Sequence, residues 1–408
     1  MTTTQMGQNS KLSNAEILFI IIVGLYAANF LNKGIVIAFL LLPFILWKII
    51  FKEMTKRLII MSSLLMLFSA YYAITVKLYG FSDVTLVLGG YLIAPIVFYW
   101  TGYAFINNKN PIKKSYCLIF TVAISTMLFA ILSIVRTTQI YGSLENASPT
   151  YGGRAVMSLW GENFLSATGM NTYVSLGIAL TPLLFLRDNN IKKMKITKLL
   201  ILAVSAISIY VSLSLGNRTG LLILGASCIA VFFYTTKLTP RKIMSTVIIF
   251  FFSILGFLLF IGNIFGVKDK WFSTTIGNRM RNFSAIDDPR FTAWGESFKG
   301  MFSYPSGGRK TELSLNYAHN LWLDVGYDAG LIPFVLLVIF SLLGLISLRT
   351  FLKSDLPVFL KGLVISCFTA MIVTFLLEPI MQGWFYYFTI FCLFLGLIHK
   401  HIYLKTTQ

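Results

Sequence analysis

The sequence predicts an all-α, polytopic membrane protein of about twelve transmembrane helices, and three observations carry that reading. Of 408 residues, 56% are hydrophobic and only 12% charged, where a soluble domain carries about 25% charged residues. Fifteen acidic residues are too few to clothe a water-exposed surface of this size, and mean hydropathy is +0.77. Apolar stretches long enough to cross the hydrocarbon core as helices recur along the whole chain. They fall at roughly 16–31, 34–51, 58–76, 84–106, 115–135, 166–186, 199–215, 219–235, 243–265, 330–348, 361–378 and 383–399.

Each element has a local reason. The first stretch follows a polar start and lacks a small-residue cleavage site, so it reads as a retained span. Basic breaks at 48–57 and 107–114 end the second and fourth spans, and a polar segment, 136–165, follows the fifth. Only Gly216-Asn217-Arg218 divides spans seven and eight. After span nine comes the largest polar segment, 266–329, in which Phe291, Trp294 and Phe298 recur at the i, i+3, i+7 spacing of an amphipathic helix lying on a membrane. His319, Leu323, Gly326 and Gly330 open a second helix-like pattern. Pro333 stands at the start of span ten, where a first helical turn tolerates it. Residues 1–408 thus form one integral membrane domain, with a smaller external loop at 136–165 and a large one at 266–329.

Charge sets the orientation. Segments 48–57, 107–114, 187–198, 237–242, 349–361 and 400–408 together hold +17 of the net +19. Twelve spans with a cytoplasmic N-terminus put all of them on one side, as lysine and arginine in short loops require. The pI of about 9.7 therefore reports topology and leaves a nucleic-acid partner little to explain. On the opposite face, 266–329 carries eight basic and seven acidic residues. Its arginines are not demanded by orientation, which makes them candidates for function.

Several chemistries find no support. Cys117, Cys228, Cys367 and Cys392 all fall inside expected spans, where cysteine is a small apolar filler. The chain has no C-x-x-C, no H-E-x-x-H, no His/Cys cluster suited to zinc and no glycine-rich phosphate loop with a Walker lysine. No metal or other cofactor is expected.

The candidates for chemistry sit on the external side. Arg218, in Gly216-Asn217-Arg218-Thr219-Gly220, lies at membrane depth, where a charge is costly and marks either a site or a snorkelling anchor. Gly216 and Gly220 leave room for a bulky ligand to approach the backbone, and Thr219 is placed to cap the following helix. The large loop supplies Arg279, Arg281, Arg290, Lys299, Arg309 and Lys310. An arginine fork grips phosphate in two places, so two or three such groups can hold a diphosphate. Arg290 follows Asp287-Asp288-Pro289 and falls in the first turn of the amphipathic segment, which would fix it by packing. His319 titrates near neutral pH and is the one external side chain suited to act as a base; His399 and His401 lie at the other face. Asp324 and Asp328 are placed either to orient it or to cap polar surface.

Three stretches resemble the O-antigen ligase and polymerase superfamily of membrane glycosyltransferases. Asn217-Arg218-Thr219-Gly220-Leu221-Leu222 is similar to that family's arginine motif at the start of a core helix. Pro289-Arg290-Phe291-Thr292-Ala293-Trp294 resembles its second-arginine motif, which precedes a short helix. His319-Asn320, then nine residues, then Gly330 matches its histidine motif, although Pro333 replaces the residue usual three positions on. The likeness in span order runs from about 166 to 399; the first five spans are recognisable by hydropathy alone.

The resemblance implies inverting, metal-independent transfer of a glycan from an undecaprenyl-diphosphate carrier to a sugar hydroxyl, in a bacterial inner membrane with the catalytic loop periplasmic. It implies His319, Arg290 and Arg218 as catalytic residues, and Arg154, Arg279, Arg281, Arg309 and Asn320 as substrate-binding ones. The acceptor would be another lipid-linked glycan for an O-antigen or capsule polymerase, or lipid A–core for a ligase. A chain-length regulator and membrane lipid are the further partners, with no nucleic acid. No arginine is followed eleven residues later by glycine, a spacing some polymerases show, but Arg154 in Tyr151-Gly152-Gly153-Arg154 gives two arginine-bearing external loops. The latter arrangement tilts the reading to a polymerase. A flippase of lipid-linked sugars would share the spans but should place several ionisable groups inside them; here the polar chemistry gathers on one loop.

Overall fold

The computed structural model describes residues 12–52, 54–147, 154–186, 194–235, 269–270, 277, 281 and 288–406. It is all-α and 80% helical. The expected span at 243–265 lies outside the described residues, as does Arg279.

The helices occupy the other apolar stretches in order. They are α1 (Asn14–Ala27), α2 (Gly34–Lys52), α3 (Lys56–Leu78), α4 (Thr85–Phe105) and α5 (Pro111–Tyr141). A four-residue α6 (Leu144–Ala147) and a small hairpin of β1 (Ala155–Met157) and β2 (Phe164–Ser166) follow, paired antiparallel with Val156 opposite Leu165. Next come α7 (Ala167–Ala179), α8 (Met194–Ser214) and α9 (Arg218–Thr235). The C-terminal part holds α10 (Pro289–Ser303), α11 (Leu321–Ala329), α12 (Leu331–Leu352), α13 (Val358–Leu377), α14 (Ile380–Gly383) and α15 (Phe385–Thr406).

Seven of these, α3, α4, α5, α8, α12, α13 and α15, are long and apolar enough to cross a membrane, consistent with a multi-pass membrane protein. The stretch expected as one span at 166–186 is instead α7 followed by a short 3-10 segment, Thr181–Phe185, because Pro182 cannot donate to the α-helical ladder.

Burial does not follow hydropathy. α12 is the most apolar of the seven yet only 33% buried, whereas α15, among the least apolar, is 83% buried. Lipid is as apolar as leucine, so the most hydrophobic helix gains nothing by moving inward. Small residues decide the centre instead: the most extensive helix pair is α4 with α15. There Gly102 lies against the Leu393 carbonyl and Gly396 against the Tyr99 carbonyl, leaving no room for a Cβ on either side.

The central helix also carries polar residues that must find partners. Tyr387 meets Ser175 at 2.6 Å, and Tyr386 meets Thr172 at 2.5 Å. Tyr26 pairs with Thr389. These bonds tie α1 and α7 to α15. The free cysteines Cys367 and Cys392 are buried among apolar side chains, while Cys117 and Cys228 are only half-buried.

The described polar segments between the apolar helices are held by specific bonds and packing. Arg136, near the end of α5, donates to three carbonyls of the hairpin loop, those of Ser158, Leu159 and Gly161, at 2.7, 2.7 and 3.0 Å. Thr137 and Ser133 accept from the backbone of Met157 and Leu159 at 2.9 and 3.1 Å. The hairpin that begins just after Arg154 is thereby fixed to α5. On α10, the small residues Ala293, Ser297 and Gly300 pack inward while Phe291, Phe298 and Phe302 form one exposed aromatic face. The spacing expected for an amphipathic helix is present, although Trp294 falls on the inward flank and Phe302 completes the exposed stripe.

Candidate functional site

Four residues expected at the site from sequence, Arg154, Arg218, Arg290 and His319, gather at one place. Each is delivered by a different chain segment, and each has a local reason to stand where it does.

Arg218 opens α9. Gly216 turns the chain after α8 at φ +59°, a conformation that favours glycine. Asn217 then caps α9: its Oδ1 accepts from the Thr219 N–H at 2.9 Å, while its Nδ2 donates to the Ala167 carbonyl at 2.9 Å. The cap is therefore Asn217 rather than Thr219, and it ties the start of α9 to the start of α7. Thr219 is occupied otherwise, donating through Oγ1 to Glu378 at 2.8 Å. Gly220 makes room for Ser212 of α8 instead of for a ligand.

Arg290 lies in the first turn of α10, as expected. Asp288 is the N-cap, accepting from the Arg290 backbone N–H at 3.1 Å, an arrangement that suits the positive end of the helix. Its second carboxylate oxygen stands 3.7 Å from the Arg218 guanidinium. One aspartate thus orients both arginine-bearing helix starts.

Arg154 donates from Nε to the Leu215 carbonyl at 3.1 Å, at the end of α8. Burial lowers its pKa; Glu378 opposes that, and the charges of Arg218 and Arg290 add to it. A guanidinium stays protonated under such a shift. The mutual influence places three cations within electrostatic reach of one another, beside the buried Glu378 and the half-buried Asp288.

His319 adopts φ +55°, unusual for a residue with a Cβ. The reason is Asp324. Its buried carboxyl accepts from the Ala318 N–H at 2.8 Å, the Asn320 N–H at 3.2 Å and the His319 N–H. Successive backbone N–H groups around a left-handed residue form a nest for an anion, and here the nest is filled by the protein's own side chain. Burial and the neighbouring Asp328 push the Asp324 pKa well above the usual carboxylate range, with the three N–H bonds opposing. Asn320 then caps α11 through its Oδ1, accepting from Trp322 and Leu323 at 3.2 Å each. Nine residues of α11 follow before Gly330 turns the chain into α12 at φ +89°, packed against the Pro305 carbonyl. The histidine-to-glycine spacing is the length of that helix.

One imidazole nitrogen is left without a partner: His319 Nδ1 is shielded from solvent and has no hydrogen-bond partner among the described residues. Burial lowers its pKa to about 4, helped by the charge of Arg290 and opposed by Asp288. At neutral pH the ring is therefore uncharged, with a nitrogen free to take a proton.

Other expected site residues are placed elsewhere or used otherwise. Arg309 donates to the buried Asp328 at 2.7 Å and stacks on Phe81, its carbon 3.9 Å from the ring centre. Asp328 also accepts from Tyr72 at 2.7 Å and Gln382 at 2.8 Å. This network latches the large loop to α3 and α14, and its arginine works there rather than beside His319. Asn320 spends its carbonyl oxygen on the cap of α11. Arg281 is exposed. Arg279 lies outside the described residues.

Glu378 was not among the residues expected at the site. Glu378 offered a signal, a lone acid closing an apolar stretch, since an ionisable group at the edge of a span is a functional candidate by default. Asp324 was expected either to orient His319 or to cap polar surface; it does the former through the backbone, accepting from the N–H groups around His319 in a non-helical turn.

The chain matches no family model and no curated protein.

Proposed function

We propose that this protein is a membrane glycosyltransferase that transfers a glycan from a polyprenyl-diphosphate carrier to a sugar hydroxyl, with inversion and without a metal. The observation that carries the reading is that Arg154, Arg218 and Arg290 stand within electrostatic reach of one another, with Arg290 beside a neutral His319 whose Nδ1 lacks a partner among the described residues. Twelve spans with the basic loops inside would set this cluster on the outer face of a bacterial inner membrane, where a lipid-linked diphosphate lies at headgroup level.

The chemistry follows from the residues. The three guanidiniums hold the diphosphate, which leaves with the polyprenol when the sugar C1–O bond breaks. Charge builds on that leaving oxygen, and preorganised cations at the site lower the barrier. The acceptor hydroxyl attacks C1 from the opposite side and passes its proton to His319 Nδ1. In the free protein Arg290 holds the imidazole pKa down. A bound diphosphate offsets that cation, so donor binding strengthens the base when it is needed. The imidazolium formed is stabilised by the same anion and by Asp288, which already favours protonation.

Repeat-unit polymerase is the reading we prefer over ligase, because Arg154 brings a second external loop into the cluster. Complementation read on a lipopolysaccharide gel tests both. A polymerase defect leaves core bearing one repeat, and a ligase defect leaves bare core with carrier-linked polymer. Restoration of a normal ladder by His319→Ala protein would remove the base assignment.

A further inference from the structure

Trp294 is a second group at this site with an unmet hydrogen bond. Its indole Nε1 is shielded from solvent and has no acceptor among the described residues. Three other tryptophans are satisfied: Trp100 donates to Ser62 at 2.7 Å, Trp160 to the Ala28 carbonyl at 2.9 Å and Trp322 to Ser341 at 3.0 Å. A buried N–H without a partner is costly, so one kept in a fixed ring calls for an acceptor that arrives from outside. The ring is fixed, meeting Phe291 edge-on with centroids 5.2 Å apart.

Its position follows from helix geometry. Trp294 is four residues after Arg290, so both lie on one flank of α10. Further along the same flank, Ser297 donates to the Leu323 carbonyl at 3.1 Å, and Met301 packs on Gly326. The two helices therefore run side by side in the same direction. One turn back from the Ser297–Leu323 contact, Trp294 comes level with 319–320. Arg290, a turn further back, is the cation His319 feels. Two buried nitrogens without partners among the described residues, His319 Nδ1 and Trp294 Nε1, thus lie on the side of α10 that carries Arg290.

We propose that Trp294 is a substrate-binding residue, its indole N–H donating to an oxygen of the diphosphate that Arg290 holds. The indole has a donor but no acceptor and no charge, so it fixes an oxyanion without adding to the repulsion among the three arginines. The identity of the oxygen rests on the diphosphate-donor reading above, whereas the unmet donor stands independently of it.

The test is a titration of the full chain, in nanodiscs with ¹⁵N-labelled tryptophan, by inorganic pyrophosphate. Trp294→Phe identifies the indole resonance, and the Trp100, Trp160 and Trp322 resonances report whether that variant is folded. The expected result is a saturable downfield shift of the Trp294 signal, absent in Arg290→Gln, and binding by Trp294→Phe weaker by about tenfold. Calorimetric binding with no Trp294 shift, or with unchanged affinity in folded Trp294→Phe, overturns this assignment alone. A shift produced by a neutral oligosaccharide instead of pyrophosphate overturns it too. Absence of pyrophosphate binding to the wild-type chain overturns the diphosphate site itself. A Trp294 shift together with undiminished transfer by His319→Ala leaves this inference standing and removes the base.

Discussion

The two ends of the helix bundle hold the same kinds of residue and treat them differently. At the end rich in basic loops, His399 lies between Tyr99 and Ser347, 2.7 Å from each, and His401 meets Ser115 at 2.7 Å. Lys114, fully buried there, pairs with Glu16 and donates to Asn107 at 2.7 Å. Every one of these groups has its partner in the protein. At the opposite end, His319 Nδ1 and Trp294 Nε1 have none among the described residues, near the three arginines, Asp288 and Glu378. A polar group satisfied internally stabilises the fold, and a buried one left without a partner calls for an explanation. His319 and Trp294 differ from such groups as Thr101 and Ser208 in standing beside the arginine cluster. Composition alone would rank the three histidines equally, and the bonding separates them.

The largest effect expected is at His319. His319→Ala should lower transfer by about two to four orders of magnitude, the range for removing a positioned base, at undiminished protein levels. Turnover within a few-fold of wild type would put this histidine in the same class as His399. Arg290→Lys comes next. It keeps the charge but loses the fork, and turnover should fall between about tenfold and a hundredfold. Equal activity with lysine would mean that charge alone suffices.

His399→Ala sharpens the contrast from the other side. It leaves two buried hydroxyls without their shared partner and should cost about 1–3 kcal/mol of stability. Chemical unfolding measures that cost, and transfer per folded molecule should stay unchanged. A loss of turnover at full stability would undo the division between the two ends.

The smallest effect concerns pH. The His319 imidazole stays neutral above about pH 4 and takes up its proton as pH falls through that value, so the acid limb of kcat/KM should lie near 4 and not near the ordinary 6.5. Arg290 lowers this pKa and Asp288 raises it. Arg290→Gln should therefore move the imidazole titration upward, and Asp288→Asn downward, as followed by NMR of labelled histidine. Shifts of the opposite sign would break the proposed coupling.

Much of the site was legible because its residues flank apolar stretches on one side. Arg218 opens a helix and His319 stands two residues before one, whereas Arg154 lies mid-loop just before β1; charge bias assigned all three to one face. Arg290 was found through its place in an amphipathic turn. Arg309 and Asn320 looked equivalent in sequence and are diverted, one to Asp328 and one to a helix cap. Asp324 was visible as an acid placed to orient His319, but that it does so through the backbone N–H groups of the turn was not.

By itself the sequence determined the helical class and the placement of the apolar elements, and it set the expectation that the candidate residues share one face. Those depend on local quantities: the length of an apolar run and the balance of lysine and arginine beside it. Tertiary structure decided that α15 is the central helix, that Thr219 serves Glu378 and that Tyr72 serves Asp328 across 256 residues of chain. It also decided which nitrogens would be left waiting. Hydrogen bonds are satisfied by whatever lies within about 3 Å in space, and no local pattern records which distant residue that will be.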